Sequence, residues 1–288
     1  MTVARSPEEL EPARRAVAIG TFDGVHRGHQ RVLQAAAAAG LRPTVVTFDP
    51  HPRSLFGEPV ELLTTLDRRL ELLAEQGMED ALVCCFDPEL AERTAEEFAE
   101  SILRAMGAEV VAAGDGFRFG RGRSGDLALL ERLGFDVRRV PLIDNVSSSH
   151  IRRLLAAGEV AQAAQLLGRP PEVEGTVVQG EHRGAGLGFP TANVEVAPGL
   201  LVPPLGIYAG SALGHRAAVS IGTNPHFGGT ERRVEAYLLD FDGDLYGSRL
   251  VVELWEHLRD EAAFGSVEEL VEQIAADVSR TREVRRPA

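Results

Sequence analysis

Gly20-Thr21-Phe22-Asp23-Gly24-Val25-His26-Arg27-Gly28-His29 follows the apolar run Val17 to Gly20 and opens a stretch of helix formers, Gly28 to Ala39, that stops at Gly40. An apolar strand, a glycine-bearing turn and a helix in immediate succession predict the first unit of a parallel α/β sheet. The free amides at the helix start and the helix dipole favour an anion at that turn. Two imidazoles three positions apart, with a glycine between them, can point together at such an anion. A lone histidine is more often a satisfied or exposed residue, so the placement of the pair carries more weight than its composition.

Outward from this stretch the alternation continues. Thr44 to Phe48, Ala81 to Phe86, Val110 to Ala113 and Val137 to Val140 read as further buried strands. Thr94 and Glu97 can form a capping box ahead of Phe98, Ile102 and Met106, with Gly107 as the stop. A sheet of this kind takes ligands at the C-terminal ends of its strands. Thr47-Phe48-Asp49-Pro50-His51-Pro52 and Gly114-Asp115-Gly116-Phe117-Arg118-Phe119-Gly120-Arg121 both fall there. Val146-Ser147-Ser148-Ser149-His150-Ile151-Arg152 sets hydroxyls before a helix that carries Ile151, Leu154 and Leu155 and ends near Gly158. Ser149 suits the N-cap, which leaves Ser147, Ser148 and the donor fork of Arg152 for phosphate oxygens.

The pattern changes after Arg169-Pro170-Pro171, which sets a boundary between residues 1–169 and 170–288. Val173 to Val178, Ala217 to Ile221, Val234 to Leu239 and Leu250 to Trp255 are β-type runs with glycine and proline punctuation, as in a small barrel or sandwich. Ser266 and Glu269 can then cap a terminal helix whose Leu270, Ile274 and Val278 repeat as an apolar stripe that packs on the barrel. Arg183-Gly184-Ala185-Gly186-Leu187-Gly188-Phe189-Pro190-Thr191-Ala192-Asn193 reads as a turn entering a strand. Alternate strand side chains share a face, so Thr191 and Asn193 can converge on a metal or a phosphate. Glu235 places a carboxylate inside an apolar strand, where it is either edge-exposed or functional, and burial would poise it as a base.

Composition narrows the chemistry. At 288 residues, 44% hydrophobic and 25% charged, the chain suits two ordinary globular domains. Thirty basic against 43 acidic residues leave a net charge of -13, which repels a nucleic-acid backbone and argues against that partner. Lysine is absent, so all 30 basic residues are arginine. A P-loop and a Schiff-base mechanism, which both use lysine, are thereby excluded unless another residue substitutes for it. Adjacent Cys84 and Cys85 in an apolar run make neither a disulfide framework nor a zinc site by themselves, and suit a buried strand in a reducing compartment. Met1 to Arg15 is polar and no run has the length of a membrane span, so a cytoplasmic protein without a membrane partner is expected.

In order, G-x-F-D-G-V-H-x-G-H, T-F-D-P-H-P, F-R-F-G and [IV]-S-S-x-x-I-R resemble the adenylyltransferase half of the bacterial bifunctional riboflavin kinase/FMN adenylyltransferase family over Ala16 to Gly168. R-G-x-x-L-G-F-P-T-A-N, G-I-Y-A, G-T-N-P, V-E and L-R-x-E-x-x-F resemble its flavokinase module over Glu172 to Arg282. The resemblance implies a Rossmann-like nucleotidyltransferase domain with a parallel sheet, followed by a six-stranded β-barrel flavokinase domain with a terminal helix. It implies two reactions: riboflavin and ATP give FMN and ADP, then FMN and a second ATP give FAD and pyrophosphate. His26 and His29 would stabilise phosphate charge, while Ser147, Ser148 and Arg152 close on the triphosphate. ATP would also meet Gly20, Phe22, Asp23, Gly28 and Arg121 in the first half, and Gly180, Arg183, Gly186 and Pro190 in the second. Asp49, Phe117, Arg259, Glu261 and Phe264 would hold flavin, Thr191 and Asn193 Mg²⁺, and Glu235 would deprotonate the riboflavin 5'-hydroxyl. The expected partners are small-molecule substrates, with the chain a monomer or weak homo-oligomer.

Thr21, Gly116, Ala185, His226 and Tyr237 depart from the usual pattern without removing a proposed catalytic group. The rival readings are a chain with only one active half and a non-catalytic flavin-binding or regulatory protein. A third is nucleotide transfer to some other phosphate, which the first half alone leaves open.

Overall fold

In the computed structural model, residues 1–57, 59–180, 183–223 and 232–287 are described. The side chains of Arg183 and Ala185, together with Asn224, Pro225 and His226, lie outside that description. The chain divides into two compact units, Met1–Val60 with Leu66–Ser147, and Glu61–Thr65 with Ser148–Ala288.

The first unit is built on β1 (Thr2–Ala4), β2 (Arg15–Ile19), β3 (Arg42–Asp49), β4 (Asp80–Cys85), β5 (Ala108–Gly114) and β6 (Asp136–Val140). They form one parallel sheet in the order β1-β4-β3-β2-β5-β6. The two-residue period of β2 serves both faces. Val17 and Ile19 join Phe48, Phe98 and Leu103 on one side, while Ala16 and Ala18 join Val32, Leu33 and Leu72 on the other. Burial on both faces explains why β2 to β5 read as nearly continuous apolar runs, whereas the expected buried strand Val137 to Val140 is the edge strand β6, with Arg138 and Arg139 exposed and Val140 buried. β1 has no such signal: it pairs Thr2 with Asp80 at the sheet edge, a contact that only tertiary structure supplies.

Helix ends follow local chemistry. The Thr94 hydroxyl accepts from Glu97 N and the Glu97 carboxylate accepts from Thr94 N, completing the expected capping box. The helix then widens to π-type geometry over Ala99–Arg104 before Gly107. Cys84 is buried as expected, but Cys85 is exposed at the strand end, and both are free thiols.

In the second unit β7 (Glu172–Val178), β8 (Ala192–Val196), β9 (Gly206–Ala212), β10 (His215–Thr223), β11 (Arg232–Leu238) and β12 (Arg249–Arg259) close into a barrel in the order β10-β11-β8-β7-β12-β9. All its pairings are antiparallel. The fold is therefore a barrel rather than a sandwich. Ile151, Leu155, Val160 and Leu167, from the helices Ser148–Ala156 and Val160–Leu167, share the core of this unit with Tyr208, Val219 and Leu254. Because the first of these helices already begins at Ser148, Ser149 lies in its first turn and is not the N-cap. The terminal helix Val267–Glu283 is capped by Ser266, whose hydroxyl accepts from Glu269 N. The Glu269 carboxylate accepts from Gly265 N at 2.8 Å, so the return bond of the expected box is displaced by one residue.

Candidate functional sites

The strand order of the first unit reverses at β2, which has β3 on one side and β5 on the other. Open α/β sheets take ligands at such a reversal, beyond the strand C-termini. The loop 20–26 leaves β2 at that point, and the loop 115–121 leaves β5 beside it. Phe22, Gly24 and Val25 adopt φ of 52°, 81° and 40°, folding the first loop tightly back. His26 is the N-cap of the helix Arg27–Ala37, and its Nδ1 accepts from His29 N at 3.2 Å. In the neutral ring the proton then sits on Nε2, which makes that atom the donor.

The His26 and His29 rings stack at 3.5 Å between centroids and 15° between planes. A Cβ at Gly28 would stand 3.1 Å from His26 Cε1, so glycine lets the pair close. Phe22 meets His29 edge-on at 5.2 Å. Burial first, then neighbouring His26, then the Arg69 cation hold the His29 imidazole well below the usual histidine range. Its Nδ1 is buried without a hydrogen-bond partner.

The other sequence-derived positions of this unit fall around the same strand ends. Asp23 is fully buried, and Gly20 packs under the Phe22 ring. Asp49 stands 3.9 Å from Arg69. Phe117 stacks on Phe119 at 5.6 Å. Arg121 opens the turn after β5, 3.8 Å from Glu92. Ser147 ends the first unit, whereas Ser148 and Arg152 belong to the second, where Arg152 Nε donates to Glu61 O at 2.7 Å.

In the barrel, antiparallel register sets Glu235 of β11 directly opposite Asn193 of β8. The Thr191 hydroxyl donates to Glu235 Oε2 at 3.3 Å. Arg233 stands 2.8 Å from Glu235 Oε1, and its Nε also donates to Asn193 Oδ1 at 3.1 Å. Convergence of Thr191, Asn193 and Glu235 is thus present, although Glu235 is 30% exposed rather than buried. A Cβ at Gly180 would lie 2.1 Å from Asn193 Nδ2, so glycine there allows the amide its place. Gly186 and Pro190 are exposed on the stretch before β8.

A cavity of about 560 Å³ opens beside this cluster, and Thr191, Glu235, Arg259, Glu261 and Phe264 all line it. Tyr237, one of the departures noted in the sequence, also lines it and packs edge-on against Phe189 at 5.5 Å. Arg259 Nη2 donates to Asp277 Oδ2 at 2.7 Å and its Nε to Oδ1 at 3.0 Å, while Gln273 Nε2 donates to the same carboxylate at 3.0 Å. The guanidinium lies 5.8 Å over the Phe264 ring. Asp277 from the terminal helix thereby orients Arg259 at the cavity wall. Asp277→Asn breaks a largely buried pair and should lower stability by about 2 to 3 kcal/mol, between the exposed and buried limits. Thermal melting reads that loss directly.

Sequence reasoning missed Arg69, Arg233 and Asp277. Arg69 interrupts the apolar helical stripe Leu66-Arg69-Leu73, and that interruption is a signal that was available, whereas Asp277 stands beside an unbroken stripe of Leu270, Ile274 and Val278 and gives none.

Stacked imidazoles at a phosphate-favouring helix start and a carboxylate beside hydroxyl and amide oxygens are the equipment of a two-site phosphate-handling transferase. The family model described as FAD synthetase matches residues 8–152, and the one described as riboflavin kinase matches residues 167–285. A bifunctional riboflavin kinase/FMN adenylyltransferase of Listeria monocytogenes is 35% identical over 96% of this chain and 94% of its own length. That of Escherichia coli K12 is 38% identical over 92% of this chain and 91% of its own. A crystal structure described as a macrolide-efflux protein from Streptococcus pneumoniae superposes with a TM-score of 0.88 at 30% identity, covering 98% of this chain and 99% of that one. The chain belongs to the bifunctional riboflavin kinase/FMN adenylyltransferase family.

Proposed function

We propose that this chain makes FAD from riboflavin in two ATP-dependent steps, with residues 170–288 phosphorylating riboflavin and residues 1–169 adenylylating the FMN produced. The observation that carries the reading is the barrel cavity, which Glu235 and Thr191 line together with Arg259, Glu261 and Phe264. Riboflavin supplies a flat ring for the apolar wall and a terminal hydroxyl for the carboxylate. The 5'-oxygen attacks the γ-phosphorus of ATP, its proton passes to Glu235 and ADP leaves. General-base assistance of this kind contributes about 10² to 10⁴-fold.

In the N-terminal unit a phosphate oxygen of FMN attacks the α-phosphorus of ATP and pyrophosphate leaves. An anionic nucleophile needs no base, so His26 and His29 act by positioning and by donating to the phosphate oxygens as charge moves toward pyrophosphate. Within this unit Ser147 is assigned to the triphosphate, and Asp49 and Phe117 to the flavin.

Thr191 Oγ1, Asn193 Oδ1 and the Glu235 carboxylate are the hard oxygen donors that suit Mg²⁺, and the Arg233 cation already fits beside two of them. Thr191 and Asn193 would hold the ion, which supplies charge neutralisation on the phosphates. The net charge of -13 and the absence of lysine support small-molecule substrates rather than nucleic acid. A cytoplasmic monomer or weak homo-oligomer accords with this reading. Among the described residues no helix is long and apolar enough to cross a membrane.

The test is to incubate purified protein with ATP and Mg²⁺, starting from riboflavin in one reaction and FMN in the other, and to separate the flavins. FAD from both is expected. FAD from FMN alone would assign activity to one half, and no product from either would favour a flavin-binding protein.

A further inference from the structure

The N-terminal unit buries an arginine at each end of its sheet. Arg15, at the N-terminal end, donates to Met106 O at 2.7 Å and Glu11 O at 2.6 Å and pairs with Asp80 at 3.2 Å. Arg42 binds the same carboxylate, and that cluster lies at the N-terminal end of the strands, away from their C-termini. Arg69 sits at the opposite end, where the histidine turn and the Asp49 turn emerge. It comes from the helix Leu66–Glu75 and is 1% exposed.

Its contacts join two loops. Nη1 donates to Thr21 O at 2.9 Å, beyond β2, and to Phe48 O at 3.2 Å and Thr47 Oγ1 at 3.4 Å, at the end of β3. The Thr47 hydroxyl donates to the same Thr21 carbonyl at 3.0 Å. Nη2 stands 3.9 Å from Asp49 Oδ1, and Nε is buried without a hydrogen-bond partner. Burying a cation is costly, and an apolar side chain would fill this space without that cost. What leucine or methionine could not do is serve two backbone carbonyls and a hydroxyl at once while adding a fixed positive charge behind the imidazoles.

We propose that Arg69 is a positioning residue for adenylyl transfer, its guanidinium clamping the histidine turn to the Asp49 turn. The proposal rests on the reading of the N-terminal unit as the FMN adenylylation site. Thr21 is followed at once by the positive-φ residue Phe22, so anchoring its carbonyl fixes the entry to a strained turn that ends at His26. The same cation faces His29, together with His26 from the same turn, while Asp23 and Asp49 face Arg69 itself. Taking the cation away therefore raises the pH at which His29 protonates, whereas a lysine would keep it low.

The experiment compares Arg69→Met and Arg69→Lys with the unsubstituted full-length chain. It reads kcat and KM for FAD formation from FMN, riboflavin phosphorylation in the same chain, and the His29 titration by NMR. In Arg69→Met kcat should fall about 10²-fold, the scale of a misplaced reacting geometry, with riboflavin phosphorylation retained and the His29 midpoint moved up. Arg69→Lys should restore the low midpoint but only part of kcat, because one ammonium does not span the same acceptors in fixed geometry. A folded Arg69→Met with unchanged kcat or an unmoved His29 midpoint would overturn the proposal. If that variant does not fold, Arg69→Lys carries the test alone, and unsubstituted kcat in it overturns the proposal. Failure of the underlying function would be seen separately, as no FAD from FMN even in the unsubstituted chain.

Discussion

Replacing His29 with alanine should lower FAD formation from FMN by on the order of 10²-fold or more, the usual loss when a preorganised donor is removed. Riboflavin phosphorylation in the same molecules should not change, because it belongs to the barrel. The size of the effect follows from the geometry. His29 stacks on His26 at 3.5 Å, and its backbone N–H sets the His26 tautomer by donating to Nδ1. Alanine keeps that backbone bond, so a loss of rate would report the imidazole itself. An unchanged rate would remove His29 from the mechanism.

The same substitution has a consequence for acid stability. His29 is held neutral in the folded protein, with its pKa below the ordinary value of about 6.5 that the unfolded chain shows. As pH falls below that value the unfolded chain binds the extra proton first, so stability declines until the folded pKa is also passed. His29→Ala removes this contribution. Its stability should therefore vary less between pH 6.5 and the folded pKa than that of the unsubstituted protein, as read by denaturant titration across that range.

The sheet was legible because its central strands are buried on both faces, which leaves unbroken apolar runs between helices with caps such as Thr94 and Glu97. β1 was not, since three residues at a sheet edge are selected by their partner rather than by any local pattern. β8 was announced by the turn ending at Asn193, but β9 was passed over for a related reason: Gly206–Ala212 is rich in small residues that make sense only inside a closed barrel. At the sites, the sequence order of the motifs pointed to Thr191, Glu235, Arg259, Glu261 and Phe264, and the cavity gathers all of them. Asp277 acts on that wall from the terminal helix, distant in sequence from Arg259, and no motif spacing links the two. Arg69 is similarly remote from the histidine turn. Arg69 differs from its neighbours chiefly in being charged where its helix face is otherwise leucine, at Leu66, Leu70 and Leu73.

Glu235→Gln should abolish most riboflavin phosphorylation, with kcat falling about 10³-fold, the middle of the range for a general base. Glutamine matches glutamate in size and can still accept from the Thr191 hydroxyl, so the barrel should remain folded. Loss of the Arg233 contact costs little, since Arg233 and Glu235 are 25% and 30% exposed and such pairs contribute about 1 kcal/mol or less. What the amide cannot do is take up the 5'-hydroxyl proton as the γ-phosphoryl group transfers. Oε1 is engaged by Arg233, which leaves Oε2, beside Thr191, as the oxygen to receive it. In flavin chromatography the variant should leave riboflavin unconverted yet produce FAD normally when supplied with FMN, the mirror image of His29→Ala, which should convert riboflavin to FMN and stop there. Mixing the two variants should then restore FAD formation from riboflavin, because FMN released by one is the substrate of the other. FMN formation at the unsubstituted rate in Glu235→Gln would exclude the carboxylate as the base.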